Sequence, residues 1–142
     1  QMARVTRPGG LVAARDADYD AMTWAPAHPG LDRWLELYRE AARGTGGEPD
    51  AGRHLLGWAH AAGLTGVTAS ASVWCFADDA AREWWGGQWQ RRAVESGFHD
   101  QVVGQGLADA AEIAQVVDGW REWTDSPDGW FVIVHGEILA SV

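Results

Sequence analysis

Lysine is absent from this chain, so all eleven basic residues are arginine. That excludes Schiff-base chemistry on a lysine amine and the lysine of a phosphate-binding loop; the absence itself reads as codon bias. Cysteine occurs once, at Cys75. A single thiol excludes an intramolecular disulfide and a multi-cysteine zinc site, fits a reducing compartment, and leaves Cys75 the part of a small hydrophobe. Positive charge is scarce: the net charge is −9, and Arg91-Arg92 is the one adjacent basic pair. A nucleic-acid partner needs a concentrated basic surface and is not expected. No apolar run approaches the length of a membrane span, and Gln1-Met2-Ala3-Arg4 is not followed by the apolar core of a signal peptide. No membrane partner is expected, and a cytoplasmic location is the default. The five histidines make no metal set, because His54 and His60 do not share a helix face and His28, His99 and His135 are isolated. His135 falls within the last strand, where a satisfied buried imidazole is the common outcome.

What is present suffices for one folded domain: 142 residues, 46% of them hydrophobic and 22% charged. Its organising stretch is Arg4-Val5-Thr6-Arg7-Pro8-Gly9-Gly10-Leu11-Val12-Ala13-Ala14-Arg15-Asp16. Pro8 stops a helix, Arg4 and Arg7 suit its C-terminus, and Gly9-Gly10 permits a turn. Leu11 to Ala14 then reads as a short strand covered on both faces, ending on Arg15-Asp16. Loops after the carboxyl ends of strands form the ligand crevice in open α/β sheets, so Arg15, Asp16, Asp18 and Tyr19 are candidate substrate contacts. Residues 17–30, with Pro26 and Pro29, read as a loop carrying Trp24.

Further on, Leu31, Trp34, Leu35 and Tyr38 have the spacing of one buried helix face. Asp50 suits the N-cap of a second helix that Gly63 closes. Residues 65–76 alternate with period two, and their small side chains predict a strand under a close-packed layer. Residues 78–125 are helical in pattern, and 130–140 form a last strand.

The Pro-Gly-Gly segment with its flanking arginine and Leu11-Val12 resembles the segment before the fifth strand of class I S-adenosylmethionine-dependent methyltransferases, particularly the ubiquinone/menaquinone-biosynthesis-like group. The order of elements after it is similar to the C-terminal half of that domain, so the resemblance covers nearly the whole chain. It implies an α/β fold, the C-terminal half of a Rossmann-like sheet with local strand order five, seven, six and the last strand antiparallel. Residues 1–142 would be that C-terminal part, with a helical insertion at about 78–125. The family's Gly-rich cofactor turn would lie upstream of Gln1, so no cofactor-binding residue is expected in this chain. S-adenosyl-L-methionine would be held mainly by the absent N-terminal half.

The function implied is methyl transfer to a small-molecule acceptor, this chain supplying acceptor-side elements and being inactive alone. Such a displacement needs donor and nucleophile held together with water excluded. Trp85 and Trp89, one helical turn apart, join Trp24 as candidate walls for a planar or hydrophobic acceptor, although packing is the stronger reading of the ten tryptophans, Trp24 excepted. No residue is singled out as the catalytic base. A competing reading is a non-catalytic binding or assembly module with a tryptophan-lined pocket or interface. In either case the edge of Leu11 to Ala14 needs a partner, whether the missing half or a second copy in a homo-oligomer. Titration calorimetry of the purified chain is expected to show no useful affinity for S-adenosylmethionine; micromolar binding would overturn the assignment of the cofactor contacts to another segment.

Overall fold

A computed structural model describes residues Gln1–Val142. A short helix α1 (Met2–Val5) ends before Pro8, and Gly9 takes φ 74° to turn the chain. There follow β1 (Leu11–Ala25), α2 (Pro29–Gly44), a 3-10 turn (Ala51–His54), α3 (Leu55–Ala61) and β2 (Thr65–Phe76). Three helices, α4 (Asp79–Glu95), α5 (Gly97–Gly104) and α6 (Ala110–Asp125), fill the expected helical stretch before β3 (Trp130–Ser141). The fold is α/β, with a three-strand antiparallel sheet of order β1-β3-β2. At its open end Gly9 N–H donates to the Val142 carbonyl and Val142 N–H to that of Gly10. No helix is long and apolar enough to cross a membrane.

The opening strand departs most from expectation. It runs fifteen residues rather than four, so Arg15, Asp16, Asp18, Tyr19 and Trp24 lie on a strand and not in a loop beyond its end. Nor is it covered on both faces, since Val12, Asp18 and Met22 are buried while Leu11 is 65% exposed. Only residues 26–28 remain between β1 and α2. There the His28 ring accepts from Gly30 N–H to cap α2, and Pro29 opens the helix, where its missing N–H costs nothing. The buried stripe of α2 is Leu31, Trp34, Leu37 and Ala41, with Leu35 and Tyr38 half-buried at its margin.

The chain divides into two compact units. The first comprises Gln1–Met22, Asp50–Trp74 and Ile133–Val142. Its apolar centre is Val12, Ala59 and Ile138, with Ala14, Leu55, Leu64 and Val67 packed around them. Gly63, at φ 74°, closes α3 as its position predicts. Asp50 makes no side-chain cap; its carboxylate instead accepts the Asp20 N–H at 3.0 Å. The expected covering layer over β2 is not present, because Ala69, Ala71 and Val73 are exposed.

The second unit comprises Thr23–Pro49 and Cys75–Val132. Trp34 sits at its centre, edge-on to Trp89 at 4.6 Å and to Trp120 at 4.9 Å, and all three are fully buried. Trp24 stacks on Phe131 at 5.5 Å and Trp85 on Phe76 at 4.7 Å, while Trp123 donates its indole N–H to the Ala25 carbonyl. These offset and edge-on pairs suit the ring quadrupoles. Asp78, Ser96 and Asp109 cap α4, α5 and α6, the last in a capping box with Glu112. Cys75 is exposed, contrary to its reading as a packed hydrophobe.

Backbones in the first unit meet closely where Gly52 packs against Gly136 and β1. A Cβ there would lie 2.7 Å from the Asp16 carbonyl oxygen and 2.8 Å from the Gly136 nitrogen, whereas one on Gly57 in α3 meets nothing within 4 Å. Denaturant unfolding should therefore show Gly52→Ala destabilised by about 1–3 kcal/mol through overpacking. Gly57→Ala should be stabilised by up to about 1 kcal/mol through helix propensity.

Candidate functional site

Polar side chains of the first unit gather on the strands and the 3-10 turn. Arg53 holds Asp18 with two nitrogens, Nε at 2.5 Å and Nη2 at 2.6 Å, and reaches Asp20 with Nη1 at 3.0 Å. The Asp18 side chain is only 7% exposed, so this bidentate fork is what lets a carboxylate sit inside a strand. Those hydrogen bonds, Asp18 first, raise the Arg53 pKa further above its usual value. Asp18 also accepts the Ala21 N–H.

A second cluster forms around Glu137 on β3. Its carboxylate accepts from Ser72 Oγ at 2.6 Å and Ser70 Oγ at 2.9 Å, and Arg15 Nε lies 3.3 Å away. The serine hydrogen bonds, Ser72 first, lower its pKa below the ordinary 4.5, and the charge of Arg15 adds to this. The Arg15 guanidinium also lies over the Trp74 ring, 4.9 Å from its centroid. His135 is 6% exposed, with its ring centroid 4.5 Å from that of Trp74. Burial first, then Arg15, lowers its pKa below 6.5.

Asp18, Arg53, Ser70, His135 and Glu137 share the lining of a cavity of about 310 Å³ between the 3-10 turn with α3 and the strands β2 and β3. Leu55, Leu56, Ala69, Ala71 and Val134 supply its apolar walls. A further cavity of about 260 Å³ is almost wholly apolar, with Leu55, Trp58 and Ile138 in its lining.

Of the residues singled out from sequence, Arg15 and Asp18 are held in these ion pairs. Asp16 is exposed and its carboxylate accepts the Ala17 N–H; Tyr19 is half-buried on β1. Trp24, Trp85 and Trp89 belong to the aromatic interior of the second unit and line none of the cavities described here. Sequence reading passed over Arg53, Ser70, Ser72 and Glu137. Only Glu137 carried a signal, as a charge interrupting an apolar strand; the serines looked like one polar face of an alternating strand.

No family model matches the chain. Along 98% of its length it is 31% identical to a Schizosaccharomyces pombe protein named as an uncharacterized methyltransferase, of which it covers 50%. Over 67 residues, 40% of this chain, it is 36% identical to the secondary metabolism regulator laeA of Coprinopsis cinerea, covering 17% of that protein. The chain spans half the length of the first relative and less of the second.

Both titratable groups of the cluster have folded pKa values below their unfolded ones, so protonation favours the unfolded chain and stability falls with pH. Denaturant titrations should show a loss beginning near 6.5 from His135 and a further loss below about 4.5 from Glu137. His135→Gln should remove the first component. Glu137→Gln should cost stability at pH 7, and that cost should shrink as the pH falls below about 4.5; a cost that does not change with pH would show that the carboxylate charge contributes nothing.

Proposed function

We propose that this chain is the C-terminal part of a class I S-adenosylmethionine-dependent methyltransferase and contributes the acceptor side of its site. The observation that carries this reading is the 31% identity along 98% of the chain to a protein named as a methyltransferase. The chain's half-coverage of that relative leaves room for a second, cofactor-binding half. The strand order β1-β3-β2, with the last strand between the other two, supports numbering these strands five, six and seven in the larger sheet. As an edge strand, β1 offers the larger sheet a row of backbone donors and acceptors to pair with.

The residues present do not fit the cofactor. Gly44-Thr45-Gly46-Gly47 follows a helix rather than a strand, and the Thr45 hydroxyl donates to the Ala42 carbonyl within that helix end. Methionine and ribose contacts therefore belong to the preceding half, and no reaction step is assigned to residues of this chain. Its part in this reading is to hold a small acceptor and exclude water from it. Asp16 and Tyr19 remain candidate acceptor contacts on β1. For the competing module reading, Trp34, Trp89 and Trp120 are fully buried and form no open pocket, while Trp84 on α4 is 55% exposed.

The test uses the longest polypeptide of this reading frame. It should bind S-adenosylmethionine in calorimetry and transfer labelled methyl to a small molecule. In that protein Asp16→Asn should lower kcat/KM for the acceptor while leaving cofactor affinity within about threefold. A longer polypeptide that folds cooperatively and binds no S-adenosylmethionine would overturn the reading.

A further inference from the structure

The core of the first unit stays open beside α1. Val12, Ala59 and Ile138 are buried at its centre, and with Met2, Leu55 and Trp58 they line the apolar cavity of about 260 Å³. Met2 and Trp58 are 51% and 49% exposed. No lining side chain is ionisable, so a charged occupant would find no counter-charge there. Helix α1 itself is finished at one end only. At its C-terminus the Thr6 N–H and hydroxyl both donate to the Met2 carbonyl, and Gly9 then turns the chain. At its N-terminus Gln1 makes no cap; its side chain instead accepts from the Arg4 guanidinium. By contrast α2, α4, α5 and α6 each start on a capping side chain.

A single turn bears the entropy of helix nucleation without the further hydrogen bonds that offset it, and α1 buries none of its residues. An uncapped, unburied turn with a well-made stop has the character of the last turn of a longer helix. We propose that α1 continues upstream and that the turn preceding Gln1 is seated on this cavity, its apolar side chains closing the core over Leu55 and Trp58. Residues three and four positions before Met2 share the helix face of Met2, which lines the cavity, so those two and three positions before Gln1 are apolar. The proposal rests on the reading that a further half precedes this chain, for which its 50% coverage of the first relative leaves room, and not on the chemistry of that half.

The test compares the 142-residue chain with the longest polypeptide of its reading frame, by amide exchange and by spectra of labelled methionine methyl groups, with Met2→Leu assigning the Met2 signal. The amides of Met2–Val5 should exchange about a hundredfold more slowly in the longer polypeptide, where the turn is internal to a helix. Toluene, a probe for an open apolar cavity, should leave the Met2 signal of the longer polypeptide unmoved. Ala62→Arg sets a charge in the cavity lining at a position exposed in this chain. It should leave the unfolding midpoint of the 142-residue chain in place, lower that of the longer polypeptide, and return Met2–Val5 there to fast exchange. Equal exchange in the two polypeptides, Ala62→Arg tolerated in both, or a toluene-dependent Met2 shift in the longer one would each overturn the proposal. So would a frame with charged residues, or none, at the two upstream positions. Failure of this proposal is distinguishable from failure of the enzyme reading. Methyl transfer by a longer polypeptide whose α1 amides stay unprotected sinks the helix seat alone. Protected α1 amides in a longer polypeptide that binds no S-adenosylmethionine sink the methyltransferase and leave the seat standing.

Discussion

A carboxylate in the middle of a strand must keep its water or find a cation, and in this chain Asp18 finds Arg53. The fork of two short bonds to Asp18, with a third to Asp20, offsets the desolvation that would otherwise bend β1 out of the sheet. It also fixes the 3-10 turn Ala51–His54 over the strand, and Gly52 at that turn comes close enough to Asp16 and Gly136 that only hydrogen fits. The cavity beside the turn exists because that contact sets the position of Leu55 and Leu56 over β2 and β3. One ion pair thus ties the middle of β1 to the turn that leads into α3.

The second unit rests on a different force. Its interior is aromatic, with Trp34 touching Trp89, Trp120 and Phe131 and the remaining rings arranged around them. Large, rigid side chains let a few short helices bury enough apolar surface to hold a core, which is why the tryptophans serve packing and not a ligand. The helices are delimited by local chemistry: Asp78, Ser96 and Asp109 each satisfy backbone N–H groups at a helix start. Recognition by this chain is accordingly sought in the first unit, where the polar groups gather.

The sequence by itself determined whatever depends on neighbours along the chain. The stop at Pro8, the glycine turn, the extent of β2, the closing of α3 at Gly63 and the helices between 78 and 125 follow from proline and glycine geometry, period-two alternation and capping. The Pro-Gly-Gly resemblance and the similarity to a methyltransferase-named protein over nearly all of the chain point the same way. Only the tertiary structure decided what depends on partners distant in sequence. The run Arg15-Asp16-Ala17-Asp18 reads as the end of a strand because charge is expensive to bury, and nothing nearby reveals that Arg53 will neutralise it. Asp50 reads as a cap until Asp20 claims its carboxylate. Ser70 and Ser72 read as a solvated face until β3 brings Glu137 against them. Local geometry is written in adjacent residues, whereas the worth of a charge or a hydroxyl depends on what folding places beside it.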